Sequence, residues 1–188
     1  MSASHGPREG QAPAQQESLD LKDYIRTIPD FPEPGVLFRD ITPLLQRPAA
    51  FRYAVDRMSE EYVEKGVDVV VGIDARGFLL AAPLAYLLGK PLVVVRKEGK
   101  LPSTTLRVSY ELEYGANSVE VHSDSISPGQ RVVIVDDLLA TGGTLKAAAE
   151  LVERSGGVIV GLAVLIELTD LGGRRLLEGY PVFSLVRY

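Results

Sequence analysis

Apolar residues recur along the chain with two different periods, and the switches between them outline the fold. Leu21, Tyr24, Ile25 and Ile28 stand at i, i+3, i+4 and i+7, which predicts a short amphipathic helix with Ser18 as N-cap and Pro29 as its stop. Pro29, Pro32, Pro34 and Gly35 then impose an irregular segment that still carries Phe31, Val36, Leu37 and Phe38, so this loop must pack on the body or on a ligand. Pro48 suits the first position of a helix whose stripe is Phe51, Val55, Met58 and Tyr62, running down to Gly66. Residues 67–73 form a β-branched run, 77–88 an apolar run of helix length, and 92–95 a further short strand. Together they predict a βαβ unit. A second unit follows, with strand 131–135, helix 143–154, a turn at Gly156 and Gly157, and strand 158–166.

Continuous apolar strands alternating with helices predict an α/β fold with an open, mainly parallel sheet covered by helices on both faces. Between the units the period drops to two. Leu106, Val108, Tyr110, Leu112 and Tyr114 fall on one face, and Thr105, Arg107, Ser109, Glu111 and Glu113 on the other. Gly115 to Ser118 can turn this strand back onto residues 119–122, giving a small antiparallel hairpin, or hood, over about residues 101–122 that projects from the sheet.

Composition narrows the function without naming it. The 188 residues are 46% hydrophobic and 24% charged, values of an ordinary packed domain, expected here to be a single unit over residues 19–188. Residues 1–18 carry Gly, Pro, Gln and Ser without an apolar stretch and read as a disordered tail, not a secretory signal. The longest apolar stretches fall short of the roughly 20 residues that cross a bilayer, so a cytoplasmic protein is expected. The 20 Lys and Arg against 25 Asp and Glu give a net charge of -5, which speaks against non-specific nucleic-acid binding. Any anion must meet a local site. The absence of Cys removes thiolate catalysis and Cys-ligated metals, and His5 and His122 alone cannot assemble a multi-His centre.

Chemistry concentrates in VVIVDDLLATGGT, residues 132–144. A buried strand delivers Asp136 and Asp137, and the chain then enters Ala140, Thr141, Gly142, Gly143 and Thr144 as the next helix begins. Small residues let successive N–H groups approach a phosphate, and the helix N-terminus adds partial positive charge. No Gly-Lys-Ser/Thr follows, and the GxGxxG turn is absent. Carboxylates beside a phosphate need hydroxyls or a metal to face, so a sugar phosphate is the natural ligand. The plainer alternative is an acid pair capping a helix. It suits a bare DD or GG better than these thirteen residues together.

The segment resembles the 5-phosphoribosyl-1-pyrophosphate (PRPP) signature of the type I phosphoribosyltransferases. IPDFPEPGVLFRDITPLL, GIDARGF, RKEGKLP, YELEYG and IELTDLGGR, in that order, narrow the resemblance to the adenine phosphoribosyltransferase family, from about residue 19 to the C-terminus. It implies the type I fold, the conversion of adenine and PRPP to AMP and pyrophosphate, Mg²⁺ held mainly by PRPP and water, and a homodimer. It also implies roles. Asp136 and Asp137 would meet the ribose hydroxyls, and Ala140, Thr141, Gly142, Gly143 and Thr144 the 5-phosphate. Asp74, Ala75, Arg76 and Gly77, with Arg96, Lys97 and Lys100, would meet the pyrophosphate. Tyr114 would pack near the ribose and pyrophosphate in the closed hood. The edge of adenine would be read by the backbone of Leu37 and Arg39, with Phe38 stacking on one face and Leu168 closing the other.

Glu113 matches the family's general acid/base, whereas by pattern alone Glu111 and Glu113 are equivalent. Glu98, inside the basic loop, departs from the family and is expected to turn away from the ligand and pair with Lys97 or Lys100. His122 has no assigned role. Two rivals remain: the same fold acting on a 6-oxopurine such as xanthine, and a PRPP-sensing regulatory protein without catalysis.

Overall fold

The structure is a computed structural model that describes residues 19–111 and 116–188. The expected tail, Ser18, Leu112, Glu113, Tyr114 and Gly115 lie outside the described residues.

The expected first helix is a single 3-10 turn, Leu21–Tyr24, capped by the Asp20 carboxylate on the Lys22 amide. The chain then becomes strand β1, Arg26–Pro29, paired antiparallel with β2, Leu37–Asp40. Helical spacing was misleading here because Ile25, Thr27 and Ile28 are β-branched and favour extended backbone. The Arg26 guanidinium, held by the Asp40 carboxylate at 2.5 Å, ties the two strands together. After the short helix α1 (Thr42–Leu45) comes α2 (Pro48–Tyr62), with Pro48 in its first turn as its sequence predicts.

The βαβ unit is β3 (Val69–Ile73), α3 (Gly77–Leu88) and β4 (Leu92–Lys97). The hairpin is β5 (Thr105–Glu111) and β6 (Ala116–His122), so Ala116, Asn117 and Ser118 belong to a strand and not to the turn. The second unit is β7 (Arg131–Leu139), α4 (Gly143–Arg154) and β8 (Val158–Glu167). The chain closes with α5 (Gly173–Leu176) and β9 (Val182–Arg187), neither anticipated from the pattern.

Seven strands form one sheet in the order β5-β6-β4-β3-β7-β8-β9. The pairs among β4, β3, β7, β8 and β9 are parallel. The hairpin does not project free of this sheet as expected. β6 joins the β4 edge antiparallel, matching Arg96 with Glu120 and Lys97 with Val119. Alternate residues of the central strands feed two cores. Val132 and Ile134 pack with Leu145, Leu151 and the hairpin's Val108, while Val133 and Val135 pack with Met58 and Tyr62 of α2 and Leu80 and Leu84 of α3. Burying each such side chain contributes about 1.5–3 kcal/mol, so the two faces clamp the central strands and hold their C-terminal ends in place. Among the described residues no helix is long and apolar enough to cross a membrane.

Candidate active site

The parallel strands end along one rim, where ligands of open α/β sheets bind. A cavity of about 700 Å³ opens there. Its lining brings together Asp74, Ala75 and Arg76 after β3, Arg96, Lys97 and Lys100 from β4 and the following turn, and Asp136, Asp137 and Ala140 to Thr144 from β7 and the start of α4. These segments are separated by up to 70 residues of sequence, yet the predicted phosphate, ribose and pyrophosphate groups face one space.

β7 continues four residues beyond the expected strand, so both acids are strand residues, 8% and 6% exposed. Asp137 pairs with the Arg76 guanidinium at 2.5 Å. Asp136 accepts the Asp137 amide at 2.8 Å, and burial, then the neighbouring Asp137 charge, pushes its carboxyl well above the usual carboxylate range. α4 begins at Gly143, capped by Gly142 in the left-handed region (φ 91°) without any side-chain cap. The first amides of a helix have no acceptor within it, so this end offers donors to an anion.

Close packing fixes the loop from below. A Cβ on Gly142 would lie 2.8 Å from the Gly173 carbonyl oxygen, and one on Gly173 would collide with the Ala140 carbonyl. Arg174 holds that supporting segment through a bidentate pair with Glu167, at 2.5 and 2.8 Å.

The basic side is also preassembled. Arg96 pairs with Asp74 at 3.2 Å and donates to the Lys100 carbonyl at 3.1 Å. Glu98 does turn to a cation, but the partner is Arg107 on β5 and not Lys97 or Lys100. The hairpin's place in the sheet explains this correction, because β5 brings a guanidinium alongside the turn that a projecting hairpin would have kept away.

The base-side residues are arranged differently. Leu37, Phe38, Arg39 and Leu168 do not line the cavity. Phe38 packs edge-on against Phe31, with centroids 5.1 Å apart, and the Arg76 guanidinium lies 5.2 Å from its ring. Arg39 stacks on Tyr188 at 3.7 Å and bonds the Thr27 hydroxyl, while its Nε is buried without a partner. Leu37 is exposed. Leu168, half-buried, donates its amide to the Leu139 carbonyl at 2.9 Å, which places it beside the end of β7. Arg76 is thus the link between the halves, touching an acid of one and the aromatic face of the other.

Sequence reasoning missed Tyr110 and Asn117, which also line the cavity. The Tyr110 hydroxyl lies 3.1 Å from the Thr144 hydroxyl, tying the hairpin to the phosphate loop. Part of its signal was available: on the hairpin's apolar face Tyr110 shares with Tyr114 a hydroxyl that the other residues lack. Asn117 was hidden by its assignment to the turn.

Residues 42–185 match the model of the phosphoribosyl transferase domain family. The adenine phosphoribosyltransferase of Clostridium tetani is 58% identical over 170 residues, covering 90% of this chain and 99% of that one. The chain belongs to the adenine phosphoribosyltransferase family. The crystal structure of the Thermoanaerobacter pseudethanolicus adenine phosphoribosyltransferase superposes with a TM-score of 0.87 at 51% identity, covering 89% of this chain and 98% of that one. The Saccharomyces cerevisiae adenine phosphoribosyltransferase, complexed with an imino-altritol 1,6-bisphosphate and adenine, gives 0.83 at 40% identity over 88% and 96% of the two chains. The mainly parallel sheet with its antiparallel hairpin edge is the type I phosphoribosyltransferase fold of these relatives.

Proposed function

We propose that the protein transfers the 5-phosphoribosyl group of PRPP to N9 of adenine, giving AMP and pyrophosphate in purine salvage. One observation carries the reading: a single cavity joins the cradle at the N-terminus of α4, a buried acid pair and the cations Arg96, Lys97 and Lys100. A compound with a phosphate at one end, ribose hydroxyls in the middle and pyrophosphate at the other has this order of groups. The bisphosphate and adenine bound by the yeast relative support the same division of the site.

In this reading the amides of the Ala140 to Thr144 loop take the 5-phosphate. Asp136 and Asp137 take the ribose hydroxyls, which requires Arg76 to leave Asp137. The released guanidinium turns to the pyrophosphate with Arg96, Lys97 and Lys100. As the anomeric C–O bond to pyrophosphate breaks and the N9–C bond forms, these cations stabilise the charge that develops on the leaving group. Glu113 takes the proton from the imidazole ring of adenine, and Tyr114 closes over the ribose. Departure of Arg76 also uncovers Phe38, whose ring then stacks on the purine while Leu37, Arg39 and Leu168 enclose its edge and other face. The hairpin keeps water from the reacting carbon.

Among the described residues no cluster of three or more acidic or imidazole groups forms a metal cage. Asp136 and Asp137 could accept from the water ligands of Mg²⁺ that enters on PRPP oxygens; when bound, it would neutralise the pyrophosphate. The exposed apolar face of α3, with Leu79, Tyr86 and Leu87, suits the interface of a homodimer. A cytoplasmic location fits the cysteine-free chain.

The test is pyrophosphate release by the purified protein with PRPP, with and without Mg²⁺, and with adenine, hypoxanthine, guanine or xanthine. Release with adenine alone of the four, and only with Mg²⁺, is expected. Release with xanthine in place of adenine would move the protein to the 6-oxopurine enzymes. PRPP binding without turnover of any base would make it a sensor.

A further inference from the structure

Glu120 is a carboxylate 2% exposed, set behind a cavity whose chemistry calls for cations. The sheet explains its presence. Register places Arg96, Glu120 and Arg107 side by side across β4, β6 and β5. One oxygen of Glu120 accepts the backbone amides of both Lys100 and Leu101 at 3.0 Å. The other accepts the Thr105 hydroxyl at 3.3 Å and faces the Arg107 guanidinium at 3.7 Å. From the opposite side Arg96 donates to the Lys100 carbonyl, so both backbone polar groups of Lys100 are held. At the start of the turn the Glu98 amide is tied to the Ser118 carbonyl at 3.1 Å, and Gly99 adopts φ 77° to let the chain double back.

Burying an ionised acid is costly unless its acceptors are filled, and here the filling groups belong to the basic loop itself. Burial raises the carboxyl, but the Leu101 and Lys100 amides, Thr105 and Arg107 outweigh it and hold Glu120 below the usual carboxylate range. The acid thus stays ionised as the stronger form of acceptor.

We propose that Glu120 is a positioning residue for pyrophosphate binding: by fastening the amides of Lys100 and Leu101 to β6, it sets the turn so that Lys97 and Lys100 face the acid pair across the cavity. This rests on the reading of Arg96, Lys97 and Lys100 as the pyrophosphate side. The carboxylate itself touches no reacting atom. Its effect is on where two cations stand, so it should appear in pyrophosphate and PRPP affinity and in the stabilisation of the leaving group, and not in the affinity for adenine.

The experiment titrates Mg²⁺-pyrophosphate into the wild type, Glu120→Gln, Glu120→Ala and a Lys97→Ala/Lys100→Ala double variant, and measures steady-state constants for PRPP and adenine. The lysine variant should bind pyrophosphate at least about ten-fold more weakly. Glu120→Ala should weaken pyrophosphate and raise KM for PRPP by about ten- to a hundred-fold, with a fall in kcat no larger than that of the lysine double variant and the KM for adenine within about two-fold of wild type. Glu120→Gln, which keeps an acceptor oxygen and the volume, should lose only about three- to ten-fold. Should the alanine variant fail to fold, the glutamine shift decides alone. Weak pyrophosphate binding by the lysine variant with unchanged binding by the Glu120 variants would overturn the positioning role while leaving the loop reading intact. Unchanged binding by the lysine variant would overturn the loop reading and the proposal with it. A joint fall of kcat and both affinities in the Glu120 variants would show a general structural role instead.

Discussion

Around the phosphate loop the ligand-facing groups are backbone amides and two strand acids, locked by Gly142 against Gly173 and by β7 at the centre of the sheet. Around Phe38 they are one aromatic ring and the backbone of a separate two-stranded ribbon, with the Leu37 side chain exposed and Arg76 lying over the ring. The first region has its amides and acids in position, with Arg76 paired to Asp137. In the proposed reading the second is finished only when Arg76 moves. A site for a highly charged substrate gains from preorganised dipoles, since they need no rearrangement as charge develops, whereas an aromatic face can be uncovered late at small cost. In the proposed reading the two substrates make different demands: PRPP displaces Arg76 from Asp137 in a cavity otherwise in place, and the same departure clears the aromatic face for the base.

The sharpest way to separate binding from chemistry in this comparison is the hood. Glu113→Gln should lower kcat by about 10² to 10⁴ with little change in PRPP binding, because it removes a proton-transfer group, and Glu111→Gln should be nearly silent. Single-turnover and steady-state rates of the two variants check this; equal effects, or damage from Glu111→Gln, would reassign the base. A smaller effect is expected on the ribbon. Phe38→Ala should raise the KM for adenine by about three- to ten-fold through lost stacking, while PRPP affinity stays within about two-fold. A PRPP affinity that falls along with adenine would show that the two halves are not built separately.

The same contrast decided what the sequence could reveal. The cradle is contiguous, so the strand, the acids, the small residues and the helix start of residues 132–144 could be read in order, and α3 and α4 begin and end where their patterns predict. The ribbon is held by a contact between residues 14 apart, Arg26 and Asp40, and no local period encodes it. A helical spacing of Leu21, Tyr24, Ile25 and Ile28 arose from a 3-10 turn followed by a strand. Glu120 was invisible for a similar reason. On β6 it is one polar residue among alternating ones, and its significance comes from two amides 19 and 20 residues earlier in the chain. The partner of Glu98 depended on β6 pairing with β4, a long-range register that also brings β5 and Arg107 to the loop. β9 lies at the sheet edge, paired parallel with β8, and its short polar-interrupted run VFSLVR gave no clear period.

The central claim is that the built half binds PRPP through its acid pair, and titration calorimetry of Mg²⁺-PRPP in the absence of adenine tests it most directly. Wild type should bind without the base present. Asp136→Asn and Asp137→Asn should each weaken binding by about 1.5–3 kcal/mol while retaining the fold, the expectation for a charged hydrogen bond lost. PRPP affinities unchanged in both variants would contradict the assignment of the cavity.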